Sequence, residues 1–166
     1  MILIVCGVSG SGKTTIGSQL AKALELPFFD ADDFHPQTNL QKMKNGKPLN
    51  DQDRQPWLET LSLNLANWEA KGGAVLACSA LKESYRQTLK SRCRGEIKWI
   101  VLSGSRELLL KRLNARSGHF FDSNLLDSQL TTFELPSYGY LVDISQPLDE
   151  ITARVSEQLL ATNKSS

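Results

Sequence analysis

The chain has 166 residues, 40% of them hydrophobic and 22% charged, with a formal net charge of +1. That length and balance suit one folded domain with its own core, and they exclude a strongly basic nucleic-acid binder or an acidic disordered chain. No stretch reaches the ~20 apolar residues that a membrane helix needs.

Met1–Gly7 is apolar but lacks a charged leader and is cut short at Gly7, so it reads as a core strand over Ile2–Cys6 rather than an export signal. Gly7-Val8-Ser9-Gly10-Ser11-Gly12-Lys13-Thr14 follows and opens a helix predicted over Lys13–Leu24. The pattern is G-x-x-x-x-G-K-[ST]. Its glycines let successive backbone N–H groups turn onto an anion, and the helix start adds unpaired donors and a positive dipole end. Lys13 can then reach the β- and γ-phosphates of a nucleotide, and the Thr14 hydroxyl can ligate Mg²⁺. A chance glycine-rich turn is the bland alternative, and the strand before and helix after argue against it.

The next strand, Phe28–Asp30, runs into Ala31-Asp32-Asp33-Phe34-His35-Pro36. Strand ends beside a phosphate loop are where open α/β sheets place ligands. Asp32 is assigned as the base for an attacking hydroxyl, Asp30 as metal-side support and Asp33 as a helix cap. His35 is either a turn histidine or a site residue. Helices are predicted over Asn39–Lys44 and Pro56–Lys71, the second started by Asp53 and Pro56 and stopped by Gly72-Gly73. Leu58, Leu61, Leu65 and Trp68 form its core stripe. Arg54 is either part of a structural ion pair or a fork for a substrate carboxylate.

The run Ala74–Cys78 lacks polar alternation, as befits a strand covered on both faces. It leads to Ser79, Lys82 and a helix over Glu83–Arg92 that carries Tyr85 and Arg86. Cations gathering at the sheet edge of Asp32 suggest an anionic acceptor. A strand over Lys98–Leu102, a helix over Arg106–Arg116, a strand over Tyr140–Ile144 and a helix over Leu148–Ala161 complete the alternation, which implies a parallel sheet with right-handed crossovers. Between them residues 117–136 read as a mobile lid. Cys6, Cys78 and Cys93 are an odd set without metal-type spacing, and Cys6 and Cys78 read as buried small hydrophobes of a reduced, cytoplasmic protein. No N-K-x-D or D-x-x-G string of a GTPase occurs.

The sequence resembles the gluconate kinases almost end to end. The resemblance is carried by the phosphate loop, Asp30-x-Asp32-x-x-His35-Pro36, Gly46-x-Pro-Leu-x-Asp51-x-Asp53-Arg54-x-Pro-Trp57-Leu, Cys78-Ser-Ala-Leu-Lys82-x-x-Tyr85-Arg86 and Arg116-x-Gly-His119-Phe-Phe. It implies an α/β P-loop fold of the nucleoside-monophosphate-kinase type, strand order 2-3-1-4-5, with residues 1–166 as one kinase domain. It also implies ATP with Mg²⁺, a homodimer, and phosphorylation of D-gluconate at its 6-hydroxyl, while the charge balance and the lack of a long apolar segment point to no nucleic-acid or membrane partner. By the same resemblance, Gly7, Val8, Ser9, Gly10, Ser11, Gly12, Lys13, Thr14 and Thr15 hold the triphosphate, and Thr14 and Asp30 serve the metal. Asp32 is the base; His35, Arg54, Lys82, Arg86 and His119 hold gluconate. Arg116 closes on the transferring phosphate, and Arg112 either packs on adenine or is a solvated helix face. Two departures stand out: Leu130 and Phe133 are exchanged relative to the family pattern, and the loop Ser137–Gly139 is short. Two rivals are a kinase of shikimate or another sugar acid, and a nucleotide-binding module without catalysis.

Overall fold

A computed structural model describes residues 1–117 and 123–165. Five strands, β1 (Ile2–Cys6), β2 (Phe28–Asp30), β3 (Ala74–Ala77), β4 (Ile97–Ser103) and β5 (Tyr140–Asp143), form a parallel sheet ordered β2-β3-β1-β4-β5. The helices are α1 (Lys13–Leu24), α2 (Gln37–Lys44), α3 (Asp51–Ala70), α4 (Glu83–Lys90), α5 (Arg106–Ser117), α6 (Ser123–Thr132) and α7 (Leu148–Lys164). β1 is central: Ile4 lies opposite Leu76 of β3 on one side and Trp99 of β4 on the other. All five β1 residues are buried, because helices cover both faces of a parallel sheet, and this is why the strand shows no polar alternation.

The stripe read from α3 is core. Leu58, Leu61 and Leu65 are buried, each worth ~2 kcal/mol by area, and Trp68 stacks on Phe29 of β2 with ring centroids 4.0 Å apart.

Three local readings change. Helix α3 begins at Asp51 rather than Pro56. Asn50 caps it, its side chain accepting the Asp53 N–H at 2.8 Å while the Asp53 carboxylate accepts the Asn50 N–H at 3.0 Å. This reciprocal capping box satisfies two orphan donors and fixes the start of the helix ahead of Pro56, which lies inside it. Asp30, not Asp33, is the cap of the 3-10 turn Ala31–Phe34, accepting from the Asp32 N–H at 3.0 Å. Finally, residues 117–136 are not all irregular, since α6 occupies Ser123–Thr132. Its Leu126 and Leu130, with Phe133 just past its end, pack on the core, but flanking polar residues and two terminal threonines hide the helical period.

The sheet edge that matters is stitched together at the ends of β1 and β3. The Gly7 N–H donates to the Ser79 carbonyl at 3.3 Å, so the phosphate loop and the turn after β3 lie side by side.

Candidate active site

The loop after β1 has the backbone its sequence demands. Gly10 has φ 82° and Gly12, capping α1, has φ 95°, left-handed conformations in which an L side chain is strained. A side chain at Gly10 would also strike Leu113 of α5 at 2.8 Å. Ser11 is buried and donates to the Val8 carbonyl at 2.7 Å; the Lys13 ammonium donates to the same carbonyl at 3.0 Å. Burial pulls the Lys13 ammonium below the ordinary lysine range, opposed by the negative charge of Asp32. Thr14 follows on α1, and its hydroxyl donates to Asp30 at 3.0 Å. Thr15 lies one residue further on the same helix.

A cleft of 290 Å³ opens beside this loop, lined among others by Lys13, Asp32, His35, Arg54, Ser79 and Gln129. Desolvation in the cleft raises the Asp32 carboxyl above its usual range, and Asp30 adds to the rise, while Lys13 opposes it. The Asp32 side chain keeps 78% of its surface accessible, so water screens a share of each effect. His35 is the reverse case: its side chain is 4% exposed, and desolvation followed by the Arg54 charge lowers its pKa to about 4. It is therefore neutral near pH 7. Its ring stacks on Trp57 at 4.1 Å.

Arg54 is buried and donates to the Tyr85 hydroxyl at 3.0 Å. That hydroxyl donates onward to Asp51, and Lys82 pairs with Asp51 at 3.1 Å. Among the described residues no carboxylate forms an ion pair with Arg54. Asp51 and Asp53 feel its charge without pairing with it directly, so the buried guanidinium can still take an incoming anion.

Sequence reasoning placed Asp32, His35 and Arg54 together, and the fold brings them to one cleft. Lys82 lies in an adjoining groove with Arg54 and Asp51. Arg86 is not in the cleft. Its guanidinium, fully buried, donates to the Ala80, Leu81 and Glu134 carbonyls and pairs with Glu83 at 3.1 Å. These bonds occupy it as an internal brace. Arg112 donates to the Ile144 carbonyl beyond β5, and its second terminal nitrogen is buried without a partner. Arg116 is exposed in the last turn of α5, and His119 lies outside the described residues.

The sequence reading missed Gln129 and Asn39. Gln129 of α6 grips the phosphate loop, accepting the Ser9 N–H at 2.7 Å and donating to the Ser9 hydroxyl at 2.8 Å. Asn39, almost wholly buried, contacts His35 at 3.3 Å. The one signal for Asn39 was its spacing of four from His35. A larger cleft, 520 Å³, lies at the amino-terminal ends of β4 and β5, away from the loop and its acids.

Comparison with known proteins agrees with this geometry. The family model "Shikimate kinase" matches residues 9–161. A probable gluconokinase of Dictyostelium discoideum is 43% identical, covering 96% of this chain and 86% of its own. The thermoresistant gluconokinase of Escherichia coli is 38% identical over 94% of this chain and 91% of its own. The chain belongs to the gluconokinase family. Its fold is that of the family too. The crystal structure of a gluconokinase from Sinorhizobium meliloti superposes with a TM-score of 0.85 at 40% identity, covering 96% of this chain and 95% of that one. The candidate cleft thus sits where the P-loop meets the carboxyl ends of β1, β2 and β3.

Proposed function

We propose that the protein phosphorylates D-gluconate at its 6-hydroxyl, converting ATP to ADP. The observation that carries the acceptor reading is Arg54, a buried cation that lines the same cleft as Asp32 and, among the described residues, forms no direct ion pair with a carboxylate. A sugar-acid carboxylate supplies that charge in the bidentate geometry a guanidinium favours.

The reaction is in-line phosphoryl transfer. The loop amides and Lys13 hold the β- and γ-phosphates. Arg54 anchors the gluconate carboxylate, which directs the far end of the chain toward Asp32. The 6-oxygen attacks the γ-phosphorus as its proton passes to Asp32. One P–O bond forms, the bond to the β-phosphate oxygen breaks, and the electrons of that bond leave with ADP. Arg116 supports charge on the transferring group, and Arg112 lies against the base of the nucleotide.

The donor set for Mg²⁺ fits one that arrives with the triphosphate. Thr14 and Asp30 offer one hydroxyl and one carboxylate 3.0 Å apart, and the described residues form no cage of three or more side-chain ligands. Held there by Thr14 and Asp30, Mg²⁺ would neutralise charge on the triphosphate. Residues 117–136, including α6, act as a lid that keeps water from the γ-phosphate. We assign the protein to the cytoplasm and to a homodimer; no helix among the described residues is long and apolar enough to cross a membrane.

Product analysis tests the reading. ¹H–³¹P correlation spectra of the product should couple phosphorus to the two protons on carbon 6 of gluconate. Coupling to any other carbon's protons, or free phosphate alone, would refute it.

A further inference from the structure

His35 carries its proton on one of two ring nitrogens, and its neighbours decide which. The ring lies face-on against Trp57, 12° from parallel, and the indole is itself fixed by its N–H on the Ala31 carbonyl at 2.7 Å. Facing Nδ1 is the side-chain nitrogen of Asn39, 3.3 Å away, and that same nitrogen lies 2.7 Å from the Asp53 backbone carbonyl oxygen. A carbonyl oxygen has no hydrogen to give, so the atom facing it is the NH₂ of the carboxamide and not its oxygen. The second hydrogen of that NH₂ is left for His35 Nδ1, which can accept it only as a bare lone pair. The ring proton therefore sits on Nε2, the nitrogen 3.9 Å from the Asp32 carboxylate.

We propose that Asn39 is a positioning residue that holds His35 in its Nε2–H tautomer, so that the acceptor cleft presents a neutral hydrogen-bond donor beside the Asp32 carboxylate. The pairing has a chemical meaning. Ionised Asp32 only accepts, and His35 Nε2 only donates. Their separation lets one hydroxyl oxygen, about 2.8 Å from each, give its proton to Asp32 while receiving one hydrogen bond from His35. An alcohol satisfies both partners; an ammonium group or a methyl group cannot. His35 thus aims the hydroxyl without forming a cation that would pair with Asp32 and quench the base. The low pKa of the buried ring, with Arg54 nearby, agrees with a neutral imidazole.

The role of this tautomer in turnover rests on the acceptor reading given above; the tautomer itself does not. The experiment therefore has two arms. The chain holds two histidines, so imidazole ¹⁵N spectra of the unliganded protein at neutral pH contain two sets of signals, and His35→Gln identifies one by its loss. The proposal expects His35 with Nε2 protonated and Nδ1 bare. A proton on Nδ1, or on both nitrogens, would overturn it whatever the substrate. In the kinetic arm, Asn39→Ala should lower kcat/KM for gluconate about tenfold, with the KM for ATP changed less than about twofold. The same substitution in a His35→Gln background should cost nothing further. Equal losses in both backgrounds would show that Asn39 only ties α2 to α3 through the Asp53 carbonyl, and would also overturn the proposal. Should Asn39→Ala fail to fold, the wild-type spectrum still decides.

Discussion

In the proposed reaction Asp32 and Arg54 divide the work of the acceptor site, and each division predicts a separable phenotype. Folding penalises the ionised form of Asp32, so removing its charge relieves the folded state while removing the base. Asp32→Asn should lower kcat by about 10² to 10⁴, with a Tm equal to or slightly above wild type. Turnover within a few-fold of wild type, or a clear drop in Tm, would assign Asp32 a different role. Arg54→Ala should raise the gluconate KM roughly 10- to 100-fold and the ATP KM far less, as initial rates with each substrate varied would read. Histidine 35 sets a pH dependence of stability. Its folded pKa of about 4 lies below the ordinary value of 6.5, so below pH 6.5 the unfolded chain binds the extra proton. Its contribution is complete above pH 6.5 and is lost as pH falls toward 4. Denaturant midpoints should fall more steeply over that window in wild type than in His35→Gln.

At the scale of elements, Arg86 and Gln129 show how the segment around α6 is attached. Arg86 clamps the start of α4 to Glu134, and the Glu134 carboxylate accepts the Glu83 N–H at 2.8 Å. The Glu134 N–H also donates to Leu81 at 2.7 Å. Removing a buried guanidinium strands three carbonyls, so Arg86→Ala should cost on the order of 3 kcal/mol of stability. Gluconate KM should change little in whatever protein stays folded, which contrasts with Arg54→Ala. Denaturant melts and kinetics on the same preparation check this. The resemblance to the gluconate kinases implied a gluconate contact for Arg86. Only the fold shows that its reach ends on the Ala80, Leu81 and Glu134 carbonyls and the Glu83 carboxylate. The Leu130 and Phe133 exchange is absorbed locally, both side chains packing on the core with Arg86 over the Phe133 ring at 5.8 Å.

At the scale of the whole molecule, the architecture was legible because each strand and helix carries its own period. β1 and β3 are continuous apolar runs, and the leucine stripe of α3 recurs every three or four residues. The phosphate loop was legible for a related reason: its chemistry needs glycines and a lysine at fixed spacing along the chain. Contacts between distant segments were not. Gln129 meets Ser9 across 120 residues, and Asn39 meets Asp53 between two helices, so no local pattern announces either. Helix α6 was hidden because its apolar stripe is short and bounded by polar residues.

The measurement that tests the account most directly is ADP release from ATP and Mg²⁺ with D-gluconate, shikimate, other sugar acids or no acceptor. The account predicts that gluconate alone stimulates release strongly over the acceptor-free rate. Equal or greater stimulation by shikimate, or no stimulation by any acceptor, would contradict it.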